Sequence, residues 1–297
     1  MAGLSLDDRC SLRSLAADEP LSGTASTIRR WLLLEHQGPW GRDLLGARLS
    51  DGLGRSLLAL ERRTGARVLL IRRTDRSTAH ADGRVTCVAV DTRDAWHGSR
   101  VLARIEDAAE LDPGRRTLFS DVEVAPLFVI CTHGRRDPCC AERGRPLADV
   151  AASIAPEVTW ESTHVGGDRF AGNVVAFPHG LYFGRVRPSE LADLFRAYAD
   201  GSIEPLARYR GRSSHPIDVQ TAEIALRARL GLDRIGDVVP IERSRARGRA
   251  SVTFTTPSGG WTVALERVVG EPMRLTCHSE REEVRWTWRA VEIGPAT

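Results

Sequence analysis

Cys131-Thr-His-Gly-Arg-Arg-Asp-Pro-Cys139-Cys140, followed by His164-Val-Gly-Gly-Asp168-Arg-Phe-Ala-Gly-Asn173, is the stretch whose reading decides the fold. It gathers three cysteines, two histidines, several carboxylates and four glycines. Pro126-Leu-Phe-Val-Ile-Cys131 is a continuous apolar run, so Cys131 stands at the end of a buried strand. Val158-Thr-Trp-Glu-Ser162 is a second strand, and it delivers His164. Gly134 and Pro138 favour a loop that curls Cys140 back toward Cys131. Gly166 and Gly167 let the backbone approach a metal group closely and turn N–H groups toward thiolate or sulfide. Two pairs of donors from two loops of one sheet suit a four-coordinate zinc or a two-iron cluster, and spacing does not choose between them.

Working outward, the second strand is preceded by Leu147, Val150, Ala151 and Ile154 at helical spacing, with Pro146 at a first helical position. Asn173–Phe177 and Leu181–Val186 flank the turn Pro178-His-Gly180 and read as a hairpin. Ser189 caps a helix carrying Leu191, Leu194, Phe195 and Tyr198. Upstream, Trp31–His36, Val68–Ile71 and Val85–Val90 read as strands, Leu44–Arg63 as a helix weakened near Gly52 and Gly54, and Ile105–Leu111 as a short helix. Both halves thus run strand, helix, strand, strand, so they are versions of one unit by element order. Residues 201–218 form a Gly, Ser and Arg-rich linker. A helix along Val219, Ala222, Leu226 and Leu230 follows, then strands over 252–256, 261–265, 273–278 and 284–293. Arg243–Arg249 reads as a solvated basic loop. The expected organisation is an N-terminal α/β segment (1–122), a central domain (123–210) and a small C-terminal α+β module (211–297).

The 297 residues are 42% hydrophobic and 27% charged, the balance of a globular protein with sizeable cores. A net charge of +3 gives no reason to expect a nucleic-acid or membrane partner. All 42 basic residues are arginine. Met1–Arg9 has no apolar core, and no run of roughly 18 apolar residues occurs, so the expected location is the cytoplasm. Six cysteines in a chain this long are no disulfide framework. Cys10, Cys87 and Cys277 stand alone and read as small buried thiols, whereas clustered cysteines in the cytosol point to metal or redox work.

The two motifs, with Pro178-His-Gly-Leu-Tyr-Phe-Gly-Arg185 after them, resemble the sucrase/ferredoxin-like family. The likeness is strong over the middle segment and weaker around Gly23-Thr-Ala25 and Trp31–Trp40. It implies a thioredoxin-like ferredoxin domain, an α/β fold, in which two cysteines and two histidines hold a 2Fe–2S cluster. Cys131, Cys140 and His164 match their positions; Asp168 stands where the family has its second histidine. A carboxylate there adds a negative charge and would lower the potential relative to a two-histidine site. Cys139 is the other candidate for the fourth position.

The expected function is therefore electron transfer, as a carrier rather than a catalyst, with a separate redox partner protein. A zinc-stabilised binding module is the alternative. A thiol–disulfide exchanger built on Cys139 and Cys140 is the weakest reading, because adjacent cysteines form strained disulfides. The family name brings no sugar chemistry, since no acid–nucleophile carboxylate pair stands out. His133 reads as a loop residue donating a hydrogen bond, Asp137 as a loop cap, His179 as exposed, and Arg135, Arg136 and Arg169 as loop arginines able to offset cluster charge or dock an acidic partner.

Overall fold

A computed structural model describes residues 9–50, 52–75, 80, 82–121 and 126–296. The start Met1–Asp8 and the boundary expected at 122 lie outside the described residues. A short helix α1 (Cys10–Ala16) precedes two units of the same design. The first is β1 (Arg30–Glu35), α2 (Leu53–Thr64), β2 (Ala66–Arg72), β3 (Val85–Asp91), β4 (Trp96–Leu102) and the two-residue β5 (Ser120–Asp121). The second is β6 (Leu127–Cys131), α3 (Pro138–Ile154), β7 (Thr159–Ser162), β8 (Val174–Phe177), β9 (Leu181–Phe183), α4 (Leu191–Ala199) and β10 (Tyr209–Arg212).

The pairing makes the likeness of the halves explicit. β1 is parallel to β2 and antiparallel to β3, and β3 pairs with β4. β6 is parallel to β7 and antiparallel to β8, and β8 pairs with β9. Each unit closes with a final antiparallel strand, β5 on β4 and β10 on β9. This is the strand arrangement of a thioredoxin-like unit, made twice. The units join edge to edge where β2 pairs antiparallel with β7, Ile71 opposite Ser162 and Arg72 opposite Glu161. One ten-stranded sheet results, in the order β10-β9-β8-β6-β7-β2-β1-β3-β4-β5.

Side-chain alternation sets the layers. Trp31 and Leu33 of β1 share one inner core with Val129 and Cys131 of β6, so the sheet curls around a core that both units line. On the outer face of the first unit, Leu32 and Leu34 pack on Leu57 and Leu60 of α2. On the outer face of the second, Phe128 and Ile130 pack on α3 and α4, with Phe128 stacked on Phe195 at 3.8 Å. Helix α5 (Ile217–Leu230) then lays Val219, Ala222 and Leu226 on a second sheet. That sheet is antiparallel: β11 (Val239–Ala246), β12 (Arg249–Thr256), β13 (Gly259–Val269) and β14 (Trp286–Pro295). Among the described residues, no helix is long and apolar enough to cross a membrane.

Several expectations need correction. Helix α2 begins only at Leu53, because Gly52 at φ 86° takes a left-handed conformation that ends the turn-rich segment before it. Helix α3 begins eight residues before Pro146: Asp137 caps it and Pro138 occupies its first position, while Pro146 lies inside. The supposed linker contains β10, and the basic run lies largely in the exposed strand β11 and its turn into β12. Residues 273–278 form a loop held by an isolated bridge between Met273 and Glu283.

Two contacts are open to test. A Cβ at Gly144 of α3 would stand 2.0 Å from the Cys131 carbonyl oxygen, so Gly144→Ala must lift the helix off β6. It is expected to lower stability by ~2 kcal/mol in urea unfolding. Glu223 and Arg227 of α5 are both fully buried, with Arg227 Nε donating to Glu223 Oε1 at 3.0 Å. Burial alone would raise the Glu223 carboxyl, but His215 and Arg227 outweigh it and bring it down to about 2. The folded value is below the unfolded one, so this stability is present above the ordinary glutamate range and is lost as pH falls toward about 2. Glu223→Gln leaves a buried guanidinium uncompensated and is expected to cost ~3 kcal/mol near neutral pH, with a smaller loss in acid.

Candidate metal centre at the seam of the two units

The strand β6 ends on Cys131 because Thr132 and Gly134 leave the sheet in a turn, with Gly134 N–H donating to the Thr132 carbonyl. The Asp137 carboxylate then caps α3, accepting from Cys139 N–H at 2.9 Å, and Cys140 falls in the first turn of the helix. Strand β7 ends at Ser162, and the backbone turns so that His164 comes back toward Cys140. Cys131 Sγ, Cys140 Sγ and a ring nitrogen of His164 lie within 4.8 Å of one another. His164 Nδ1 stands 4.0 Å from Cys140 Sγ and 3.0 Å from Asp168 Oδ1, and Cys140 Sγ is 3.2 Å from the same oxygen. The four expected donors are therefore neighbours, with Asp168 on the side of Cys140 and His164.

Their charges follow from this contact. The Cys131 thiol is held well below its ordinary value by the hydrogen bond from Cys140, against the effect of burial, with His164 adding to it. Cys140 is pushed up by the same Cys131 contact, by burial and by Asp168. Burial would lower the His164 imidazole, but hydrogen bonds to Asp168 and Cys131 outweigh it and bring it up to about 9. Burial would raise Asp168, yet His164 and Cys140 keep it low. The contacts thus favour negative charge on Cys131 and Asp168 and positive charge on His164, and disfavour negative charge on Cys140. Proton loss from Cys140 and His164 turns all four into metal donors.

The surroundings fix the donors. His133 is buried; its Nε2 donates to the Gly41 carbonyl at 2.6 Å, so its Nδ1 accepts the His164 N–H at 3.1 Å. It donates a hydrogen bond, as expected of it, but to the first unit rather than to its own loop. Arg210 donates to the Gly166 carbonyl at 3.0 Å and to Asn173 Oδ1 at 2.7 Å, and Asn173 Nδ2 donates to the Gly167 carbonyl at 2.9 Å. A Cβ at Gly167 would meet the Arg210 guanidinium at 2.4 Å and one at Gly166 would meet Ser26 Oγ at 2.2 Å. The paired glycines therefore serve left-handed turns and close packing against Arg210 and Ser26; the side-chain direction they leave empty does not face the thiols.

Other residues fall elsewhere. Cys139 turns away from Cys140: its Sγ lies 3.4 Å from Cys277 Sγ and 3.7 Å from Cys10 Sγ. Cys10 and Cys277 are thus not isolated thiols, while Cys87 is buried in the outer core of the first unit. No local sequence signal joins residues 10, 139 and 277. Arg169 is buried in an ion pair with Glu19 at 2.8 Å, Arg136 is half-buried and Arg135 exposed. His179 is half-buried, not exposed, its Nδ1 2.7 Å from the Tyr198 hydroxyl.

The first unit builds the mouth of the site. Trp40 packs edge-on against His133 at 6.0 Å, and Arg72 lies 4.1 Å over the Trp40 ring. A cleft of about 270 Å³ opens between Trp40, Arg42, Leu58 and Arg67 on one side and His133, Arg136 and His164 on the other. His164 reaches it with a fifth of its side chain exposed, whereas Asp168 is 5% exposed and both cysteines are buried.

No solved structure matches the chain. Among curated proteins, "Altered inheritance of mitochondria protein 32" of Meyerozyma guilliermondii is 32% identical over 95 residues, which are 29% of this chain and 34% of that protein. The chain therefore spans about a third of that relative's length. A family model described as Sucrase/ferredoxin-like matches residues 21–211, a span that holds both units and Cys131, Cys140, His164 and Asp168, and the chain belongs to that family.

Proposed function

We propose that the chain is an electron-transfer protein in which Cys131, Cys140, His164 and Asp168 hold a 2Fe–2S cluster. The observation that carries this reading is the convergence of two thiols with a histidine–aspartate pair from a second loop, at one end of one sheet. Membership of the sucrase/ferredoxin-like family supports it. The donor set fits the group: two thiols, an imidazole and a carboxylate would supply the four ligands that a two-iron cluster needs. When bound, such a cluster supplies one-electron transfer. The protein's residues do the rest. Burial keeps water from both cysteines, His133 and the Gly41 carbonyl orient His164 from behind, and Arg210 holds the glycine loop. His164 is the donor with most solvent access, so the cleft is the side from which a redox partner would reach the bound group. The exposed arginines 42, 48 and 135 near Trp40 suit an acidic redox partner. All six cysteines are free, in keeping with a reducing compartment, the cytoplasm.

One observation favours a second reading, a single zinc ion. A tetrahedral zinc with sulfur and nitrogen ligands places them about 3.6 Å apart, close to the 4.0 Å between Cys140 Sγ and His164 Nδ1. Chemical analysis separates the two. A chain prepared without air is expected to be red-brown with about two irons and two sulfides. A colourless protein that takes up zinc and no iron would sink the electron-transfer reading. Asp168→His is expected to keep the iron and raise the midpoint potential, since a neutral nitrogen replaces an anionic oxygen. Asp168→Ala is expected to lower cluster content at least about tenfold. Unchanged content and potential in both variants would remove Asp168 from the ligand set.

A further inference from the structure

Cys139 and Cys140 are consecutive, yet their sulfurs belong to different clusters. Cys10, Cys139 and Cys277 bring their sulfurs into a triangle with sides of 3.7, 3.4 and 3.6 Å. Asp137 stands over it, both carboxylate oxygens 3.7 Å from Cys10 Sγ. The four side-chain donors lie within 4.8 Å of one another, and Cys10, Asp137 and Cys139 are each 1% exposed or less.

We propose that these four residues form a second metal site, a tetrahedral three-thiolate, one-carboxylate centre for a zinc ion. Zinc–sulfur bonds of about 2.3 Å in a tetrahedron put the sulfurs about 3.8 Å apart, and a carboxylate oxygen about 3.5 Å from each sulfur. The three sulfur–sulfur separations and the Asp137–Cys10 separation match those edges to within a few tenths of an ångström. Thiolate-rich tetrahedral sets select zinc or iron–sulfur over harder ions. A bridged cluster spreads its cysteines over several irons, whereas these three sulfurs touch, which favours one ion.

The site is also built around its donors. The Asp137 carboxylate is oriented by Cys139 N–H at 2.9 Å and Cys277 N–H at 2.7 Å, and Cys10 N–H donates to Cys277 Sγ at 3.4 Å. Among the described residues Asp137 has no basic side chain as an ion-pair partner; Arg9, the cation that acts on Cys139 and Cys277, is itself paired with Glu142. Burying an anion without a counter-charge is costly, and a divalent ion removes that cost. The plain alternative is a packed core of thiols. It explains the burial, and the helix cap explains one hydrogen bond of Asp137, but neither explains why three thiols from distant segments close on that carboxylate.

The ion has a mechanical consequence. It joins the start of α1, the first turn of α3 and the loop between β13 and β14, segments up to 267 residues apart in sequence. Residues 10 and 277 both lie outside the span matched by the family model, so the second centre ties the flanking segments to the family's core. It acts one peptide bond from Cys140 and pins the helix turn that carries it.

The full chain, prepared reducing and without air, is compared with two variants: Cys131→Ser with Cys140→Ser, and Cys10→Ser with Cys277→Ser. The first is expected to keep about one equivalent of zinc, and the second to hold about one equivalent less than the wild-type chain. Because the first variant lacks the proposed iron site, failure of the electron-transfer reading leaves this outcome untouched. A second variant that holds as much zinc as the wild-type chain, or a folded first variant that binds none, overturns the proposal. Differential alkylation of the wild-type chain needs no substitution. Zinc is expected to protect Cys10, Cys139 and Cys277 together, and a chelator to raise their labelling at least about tenfold. Equal labelling with zinc and with chelator, or a disulfide among the three in the zinc-treated chain, overturns it as well.

Discussion

The seam between β2 and β7 is the constraint on which the rest depends. It is short. Thr163 N–H donates to the Leu70 carbonyl at 2.9 Å, and Leu70 N–H returns to the Thr163 hydroxyl at 3.1 Å. Arg72 and Glu161 form an ion pair across it at 3.0 Å, and Thr132 donates to Glu161 at 2.7 Å. Through Glu161 the seam touches the residue after Cys131, and through Thr163 the residue before His164. A single antiparallel contact therefore does two things: it closes ten strands into one sheet, and it sets where the histidine leaves relative to the cysteines. Edge strands that would otherwise present unpaired backbone groups cover each other.

Much of this was legible in the sequence. Apolar runs located β1, β2, β3, β6, β7, β8 and β9, because buried strands of a mostly covered sheet read as continuous hydrophobic stretches. The likeness of the two halves was visible in element order and is borne out strand by strand. What failed did so for local reasons. Strand β4, with His97, Gly98 and Ser99 at its centre, lacks the apolar pattern that marks a strand, and β10 is a four-residue edge made of Tyr, Arg, Gly and Arg. Pro146 drew attention as a helix start, yet the Asp137 cap with Pro138 behind it was the stronger signal, and it is what brings Cys140 back to Cys131.

The adjacent cysteines show the limit of motif reading. Neighbours in a helix point about 100° apart, so two consecutive residues cannot both face one pocket. The sequence carries that much, and it already weighs against Cys139 and Cys140 sharing a metal. It does not say what Cys139 faces instead. The answer depends on α1 and on the β13–β14 loop reaching the same corner of α3, which is a tertiary fact with no trace in local spacing.

The aspartate at 168 has to be understood with the arginines around it. Arg169, Arg185 and Arg210 all stand within 5.5 Å of the Phe170 ring centre, one turn from Asp168. Arg169 is paired with Glu19, and Arg185 is bound to Ser14 and the Glu19 carbonyl, so both are committed to α1 and the segment that follows it. Arg210 is buried and donates hydrogen bonds to Thr24, Gly166 and Asn173. Among the described residues, no carboxylate pairs directly with it. Burial lowers it to about 10, and Asp168 is among the anions that hold it up. A histidine at 168 would remove that anion from beside a buried cation. The carboxylate thus has two electrostatic neighbours: it lies against His164 and Cys140, and it adds to the negative charge that holds up the arginine of the glycine loop.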